Sequence, residues 1–149
     1  MKARQHGRVA ALKALYELDT THHPVGLVLT QRLADEHLSP AGEEFARTLV
    51  TGVQEYRAAL DEMIQRHAPE WPVDQMAVVD RNVLRIAIYE FDIARITPLK
   101  VAINEAVEMA KLFGADSAPR FVNGVLGALA LREADLLQAF AATSLTPPE

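Results

Sequence analysis

The stretch PLKVAINEAVEMAKLFG, residues 98–114, decides the fold class. Its apolar residues recur three or four positions apart with charged residues opposite them, which is the pattern of an amphipathic helix. Thr97 is predicted to be the N-cap and Pro98 the first helical residue, while Gly114 stands where glycine commonly ends a helix. Similar spacing recurs along most of the chain, and no strand-like alternation lasts more than a few residues. The sequence therefore predicts an all-α protein.

Prolines and capping residues divide this pattern into six or seven helices. Ser39 and Pro40 predict a helix start, and a break is expected near residues 57–60. The segment APEWP, residues 68–72, is the strongest interruption, and Asp74 beyond it is predicted to cap the next helix. We expect two packed helical subdomains, residues 1–72 and 73–149, with a frayed tail from about residue 143.

The composition excludes several classes of protein. The chain has 149 residues, of which 50% are hydrophobic, and it contains no cysteine. Half the chain is enough for a sizeable core, and thiol chemistry and disulfides are excluded. No window approaches the roughly 20 continuous apolar residues of a membrane span, and the N-terminus lacks the features of a secretory signal. We expect a cytoplasmic protein with no membrane association.

Motifs for catalysis are absent from the sequence. The chain has no Gly-rich phosphate loop, no G-x-S-x-G turn and no H-E-x-x-H helix. Its acidic pairs lie in helical stretches, where a solvated face is the ordinary explanation. We therefore expect no enzymatic activity, no cofactor and no metal site.

The chain begins with a basic segment although the whole protein is acidic. Residues 1–13 contain four Lys or Arg and no acid, whereas the formal net charge of the chain is −5. A helix N-terminus already carries partial positive charge, so cations there are unfavourable unless an anion is near. A phosphate would satisfy both the cations and the free amides. From charge alone, a solvated tail or internal ion pairs explain the segment equally well.

Longer motifs resemble those of a known family. The chain strongly resembles the NusB transcription antitermination factor family, from about Arg4 to Leu129, in family order and spacing. The motifs that carry the resemblance are ALY at residues 14–16, NVLRIAIYE at 82–90, PLKVAINEAV at 98–107, KLFG at 111–114 and FVNGVL at 121–126.

The resemblance implies a fold and a set of partners. It implies a NusB-like helical bundle of two packed subdomains that binds the boxA sequence of nascent RNA. It also implies a complex with NusE, a small-subunit ribosomal protein, within an RNA polymerase assembly that resists termination. Family members occur as monomers and as dimers, so a homodimer stays open.

The resemblance also assigns residues to the RNA. The family's Arg-rich motif falls on the basic start, although Gln5 and His6 stand where arginines are common. Arg120 and Phe121 open the last helix, where family members contact RNA, and an aromatic beside a cation suits base stacking. Phe121 in the core is the alternative. The RNA-binding residues predicted in this way are Lys2, Arg4, His6, Arg8, Arg85, Lys100, Arg120 and Phe121, with internal ion pairs as the alternative for Arg85 and Lys100.

Two further residues are assigned to the protein partner. Asp80 matches a position where an acidic residue faces the basic NusE, and Tyr16 matches another contact position. The spacing of Tyr16 from Leu12 also allows core packing. A competing hypothesis is a NusB-like interaction domain without RNA binding, related to the N-terminal domain of certain ribosomal RNA cytosine methyltransferases. Salt dependence of binding separates the two, since phosphate contacts release counterions.

Overall fold

The computed structural model describes residues 2–145, and side chains as far as residue 134. Over this range it contains seven α-helices and no strand, which confirms the all-α prediction. The predicted helix break lies at Tyr56. The helices are α1 Lys2–Thr20, α2 Val25–Glu36, α3 Pro40–Glu55, α4 Arg57–His67, α5 Val78–Ile88, α6 Leu99–Phe113 and α7 Ala118–Leu145. Helix α7 includes residues 143–145 of the predicted frayed tail, and residues 146–149 lie outside the described range.

The predicted N-cap is confirmed at the start of one helix and is wrong at the starts of two others. Ser39 caps α3 by accepting a hydrogen bond from the amide of Gly42 at 3.1 Å, as predicted. Asp74 does not cap α5, because it lies in a 3₁₀ turn and α5 starts only after Ala77. Thr97 does not cap α6, because its hydroxyl donates to Glu90 and Pro98 occupies the N-cap position.

The core is built around α1, which packs chiefly against α3 and also against α2 and α5. The α1–α3 contact is close because two glycines face each other there: a Cβ atom added at Gly7 would lie 2.8 Å from the carbonyl oxygen of Gly42. No side chain fits in that gap. The basic start of α1 is therefore packed against α3. The division of the chain at residue 72 stays a prediction, since a single cluster of buried apolar residues runs through both halves.

The end of α5 continues into a π-helical turn, Tyr89–Ile93. Such turns are rare and interrupt the regular hydrogen-bond pattern of a helix. Here the carbonyl of Glu90 accepts hydrogen bonds from the amides of Ile96 and Thr97, at 2.9 and 3.3 Å. The turn thereby fixes the loop that leads into α6.

Candidate nucleic-acid interface

Arg8, predicted to bind RNA, lies inside the protein. Its side chain is 3% exposed and forms a two-pronged ion pair with Glu90, which is 1% exposed. The Nε and Nη2 atoms of Arg8 donate to the two carboxylate oxygens at 2.8 and 2.7 Å, and the hydroxyl of Thr97 donates to the same carboxylate at 2.6 Å. Paired charges of this kind tolerate burial because each is neutralised and hydrogen-bonded. The structure thus corrects the expectation that Arg8 is a surface contact.

Arg4 is held in place but stays exposed. Its Nη1 atom donates to the carbonyl of Ile96 at 3.0 Å, and its guanidinium lies 4.8 Å from the centre of the Phe45 ring. Arg8 lies 5.1 Å from the same ring. The loop fixed by Glu90 therefore orients Arg4, which leaves part of its charge accessible to an anion.

Three other residues predicted to bind RNA lie on the surface. Lys2, His6 and Lys100 are exposed, and within the described residues none of them is paired with a carboxylate. Lys100 lies in the first turn of α6, directly after the loop that holds Arg4. Lys2, Arg4 and Lys100 are thus exposed cations of α1 and α6.

Arg85, also predicted to extend the RNA surface, is buried as well. It is 3% exposed, donates to both carboxylate oxygens of Asp61 at 2.7 and 3.0 Å, and reaches Asp19 at 3.1 Å. The structure therefore corrects this assignment too. The ion pair is the alternative that the sequence left open, although with other partners.

Asp19 is the centre of this second buried network, and sequence reasoning did not identify it. It is 3% exposed and accepts hydrogen bonds from Arg57, Arg81 and Asn82 at 2.7, 2.7 and 3.0 Å. Burial raises the pKa of this carboxyl. The hydrogen bond from Arg81 and the charge of Arg85 outweigh burial, so the pKa lies below its ordinary value of 3.8. The network links α1, α4 and α5.

A different surface forms where α7 begins. Arg120 is exposed, whereas Phe121 is half-buried and packs against the core. The RNA contact of Phe121 stays a prediction. Two cavities of about 400 and 320 Å³ border this pair, and Trp71 lines both of them. Trp71 is 56% exposed. The sequence offered a signal for it, a single tryptophan in the segment APEWP, but only a chain interruption was inferred there.

Tyr16 and Asp80 are the two residues predicted to face a protein partner. Tyr16 is 46% exposed and does not pack in the core. It shares a cavity of about 320 Å³ with Val79, the residue before Asp80. The Oδ1 atom of Asp80 is buried without a hydrogen-bond donor among the described residues, and burial raises the pKa of this carboxyl.

No group of three His, Asp or Glu side chains within the described residues could hold a metal ion. None of the described helices is long and apolar enough to cross a membrane. The candidate binding features are thus exposed cations, exposed aromatic side chains and the carboxyl group of Asp80, whose Oδ1 atom has no donor among the described residues.

A family model and similar curated proteins all match this sequence to NusB. Residues 5–131 match the model of the NusB family. The transcription antitermination protein NusB of Chloroflexus aggregans is 51% identical over 131 residues, which cover 87% of both chains. The protein of the same name from Bacillus subtilis is 43% identical over 123 residues, covering 83% of this chain and 91% of that one.

Solved structures agree with the sequence matches. NusB of T. maritima has 35% identity and a TM-score of 0.77, covering 85% of this chain and 89% of that one. A NusB chain in a crystal structure of antitermination factors NusB and NusE with double-stranded RNA has 25% identity and a TM-score of 0.79, covering 86% and 96%.

Proposed function

The chain belongs to the NusB family, and we propose that it is a non-catalytic transcription antitermination factor that binds boxA RNA together with NusE. The observation that carries this proposal is the identity of 51% with a transcription antitermination protein NusB over 87% of both chains. Because antitermination acts on RNA as it is transcribed, we further propose that the protein works in the cytoplasm as part of an RNA polymerase complex.

The proposed RNA surface leaves out the predicted residues whose side chains are buried. Phosphate contacts require cations that water and RNA can reach, since binding works by neutralising phosphates and releasing counterions. Arg8 and Arg85 are therefore left out. The proposed contacts are Lys2, Arg4, His6, Lys100, Arg120 and Phe121.

The proposed NusE surface contains Tyr16 and Asp80. Tyr16 offers an exposed aromatic ring with a polar tip, a type of residue enriched at protein interfaces. Asp80 offers a half-buried carboxyl group, and its Oδ1 atom has no donor among the described residues. A basic partner would provide the missing positive charge.

The test is a titration of the protein with boxA RNA, with and without the cognate NusE, at two salt concentrations. We expect binding that strengthens with NusE and weakens as salt rises. A scrambled RNA of the same length is the control for sequence preference. No RNA binding even with NusE would contradict the proposal and leave a protein-interaction domain.

An Asp80→Lys variant separates the two surfaces in the same assay. It should weaken the binding of NusE, because it places a cation against a basic partner. RNA binding of the protein alone should be retained. An unchanged affinity for NusE would remove Asp80 from the partner surface.

A further inference from the structure

We propose that Trp71 and Phe121 form a cleft that accepts a nucleobase of single-stranded RNA, with Arg120 beside it to bind the phosphate. This inference rests on the proposed function and adds a residue, Trp71, that the family resemblance did not assign. It defines the chemistry of the site as aromatic stacking on an unpaired base.

Two cavities border the start of α7. They have volumes of about 400 and 320 Å³, and both are lined by Trp71, Arg120 and Phe121. These volumes fall within or near the usual range for small-ligand pockets, roughly 300–1,000 Å³. The three shared residues thus stand between two adjacent cavities.

Trp71 is unusually exposed for a tryptophan. The side chain is 56% exposed, although tryptophan is normally highly buried. An exposed Trp next to an exposed Arg is the combination that proteins use to stack bases and to hold the neighbouring phosphate. Acidic peptides would use the cation, but they would not need the aromatic surface.

The backbone around Trp71 is fixed, so the exposure is a feature of the fold. The side-chain amide nitrogen of Gln65 donates to the carbonyls of Ala68 and Trp71 at 3.1 and 2.7 Å. The amide oxygen of Gln65 accepts from the amide of Val73 at 3.0 Å. The half-buried side chain of Gln65 on α4 therefore holds the backbone on both sides of Trp71, which reduces the entropy lost when a ligand binds.

Polar groups on the wall of the larger cavity complete the site. Gln75 and Ser117 line it together with the aromatic rings. A base presents donors and acceptors along its edge, so these groups would orient the stacked ring.

The experiment uses Trp71 as its own reporter, because it is the only tryptophan in the chain. Tryptophan emission is followed while boxA RNA is added to the full-length protein. Stacking of a base on the indole should quench the emission in step with binding measured by a labelled RNA. A series of RNAs, each with one abasic position, should contain one member that binds without the quenching.

Two variants distinguish stacking from a structural role. Trp71→Leu should weaken RNA binding by roughly 5- to 100-fold, because it keeps an apolar side chain but removes the ring. Trp71→Tyr should stay within a few-fold of the wild type. Tyr56→Leu is the matched control, since Tyr56 is 41% exposed and lines neither cavity. Both Trp71 variants should unfold at the same temperature as the wild type.

The outcomes separate this inference from the proposed function. If the RNA binds but the emission does not change and Trp71→Leu binds normally, the cleft is wrong and the proposed function stands. If the emission responds to NusE and not to RNA, Trp71 belongs to a protein interface and the inference is overturned. If the wild type binds no RNA under any condition, both fail.

Discussion

The start of α1 and the start of α7 both contain arginines, but the two regions hold them differently. At the start of α1, Arg8 is buried against Glu90, and Arg4 is tied to the loop before α6. At the start of α7, Arg120 is exposed, and Phe121 borders open cavities. Local charge therefore does not measure RNA-binding capacity, because burial and pairing decide which cations an anion can reach.

The two regions also differ in role, since one stabilises the fold and the other is proposed to bind RNA. The first region holds the fold together, since Glu90 connects α1, the π-helical turn and the loop before α6. In the second region, Arg120 is exposed and Phe121 is only partly packed against the core. Substitutions of Arg8 or Glu90 should therefore act on stability, whereas substitutions of Arg120 should act on binding.

The largest expected effect belongs to Arg8→Ala. Removing the arginine leaves the Glu90 carboxylate buried without a counter-charge, which should lower the free energy of unfolding by about 3–5 kcal/mol. Denaturant-induced unfolding followed by circular dichroism measures this. Arg47→Ala is the matched control, because its pair with Glu43 is exposed and should change stability by less than about 0.5 kcal/mol. Equal effects of the two variants would show that the Arg8 pair is not structural.

Asp19→Asn should have the next largest effect, and the effect should depend on pH. The pKa of Asp19 is lowered in the folded protein, so its charge stabilises the fold above the ordinary value of 3.8. That contribution is lost as the pH falls through the lower, folded pKa. The stability difference between wild type and variant should thus be constant above about pH 5 and shrink in stronger acid. Urea unfolding between pH 3 and 7 would refute the network if the difference were the same throughout.

Phe121→Ala should reduce RNA affinity by about 1–3 kcal/mol, the usual contribution of one stacked base. Because Phe121 also packs against the core, Phe121→Leu is needed beside it. The leucine keeps apolar packing and loses the ring, so it should bind RNA as weakly as the alanine variant while unfolding at nearly the wild-type temperature. Wild-type RNA affinity of Phe121→Leu would assign Phe121 to the core alone.

The smallest effect is expected for Arg120→Ala. Losing one phosphate contact should reduce the slope of log affinity against log salt by about 0.7 to 1 and weaken binding to all sequences alike. Arg132→Ala on the same helix is the control, since Arg132 is exposed but lines neither cavity. If both variants keep the wild-type slope, phosphate binding does not occur at the start of α7.

The fold could be predicted from the sequence because helix periodicity is a local property. The pattern of residues 98–114 gave α6, and Ser39 with Pro40 gave the start of α3. The caps at Asp74 and Thr97 were wrong because tertiary contacts override local preference: Thr97 bonds to Glu90, seven residues earlier in the chain.

The site could be predicted only in part, for a related reason. Arg4 and Arg8 are four residues apart, and nothing in the sequence distinguishes the exposed one from the buried one. The partners of Arg8 and Arg85 are distant in sequence, at Glu90 and Asp19, and only the fold brings them together. A charged residue next to an apolar run, such as Glu90 after residues 86–89, was an available signal for a buried pair.

Ultraviolet cross-linking of the protein to boxA RNA, followed by mass spectrometry of the linked peptides, would locate the RNA on the protein surface. We predict cross-links in the peptides that contain Trp71 and Phe121, and at the exposed start of α1, each abolished by excess unlabelled RNA. Cross-links confined to other surfaces, such as the exposed face of α2, would contradict it.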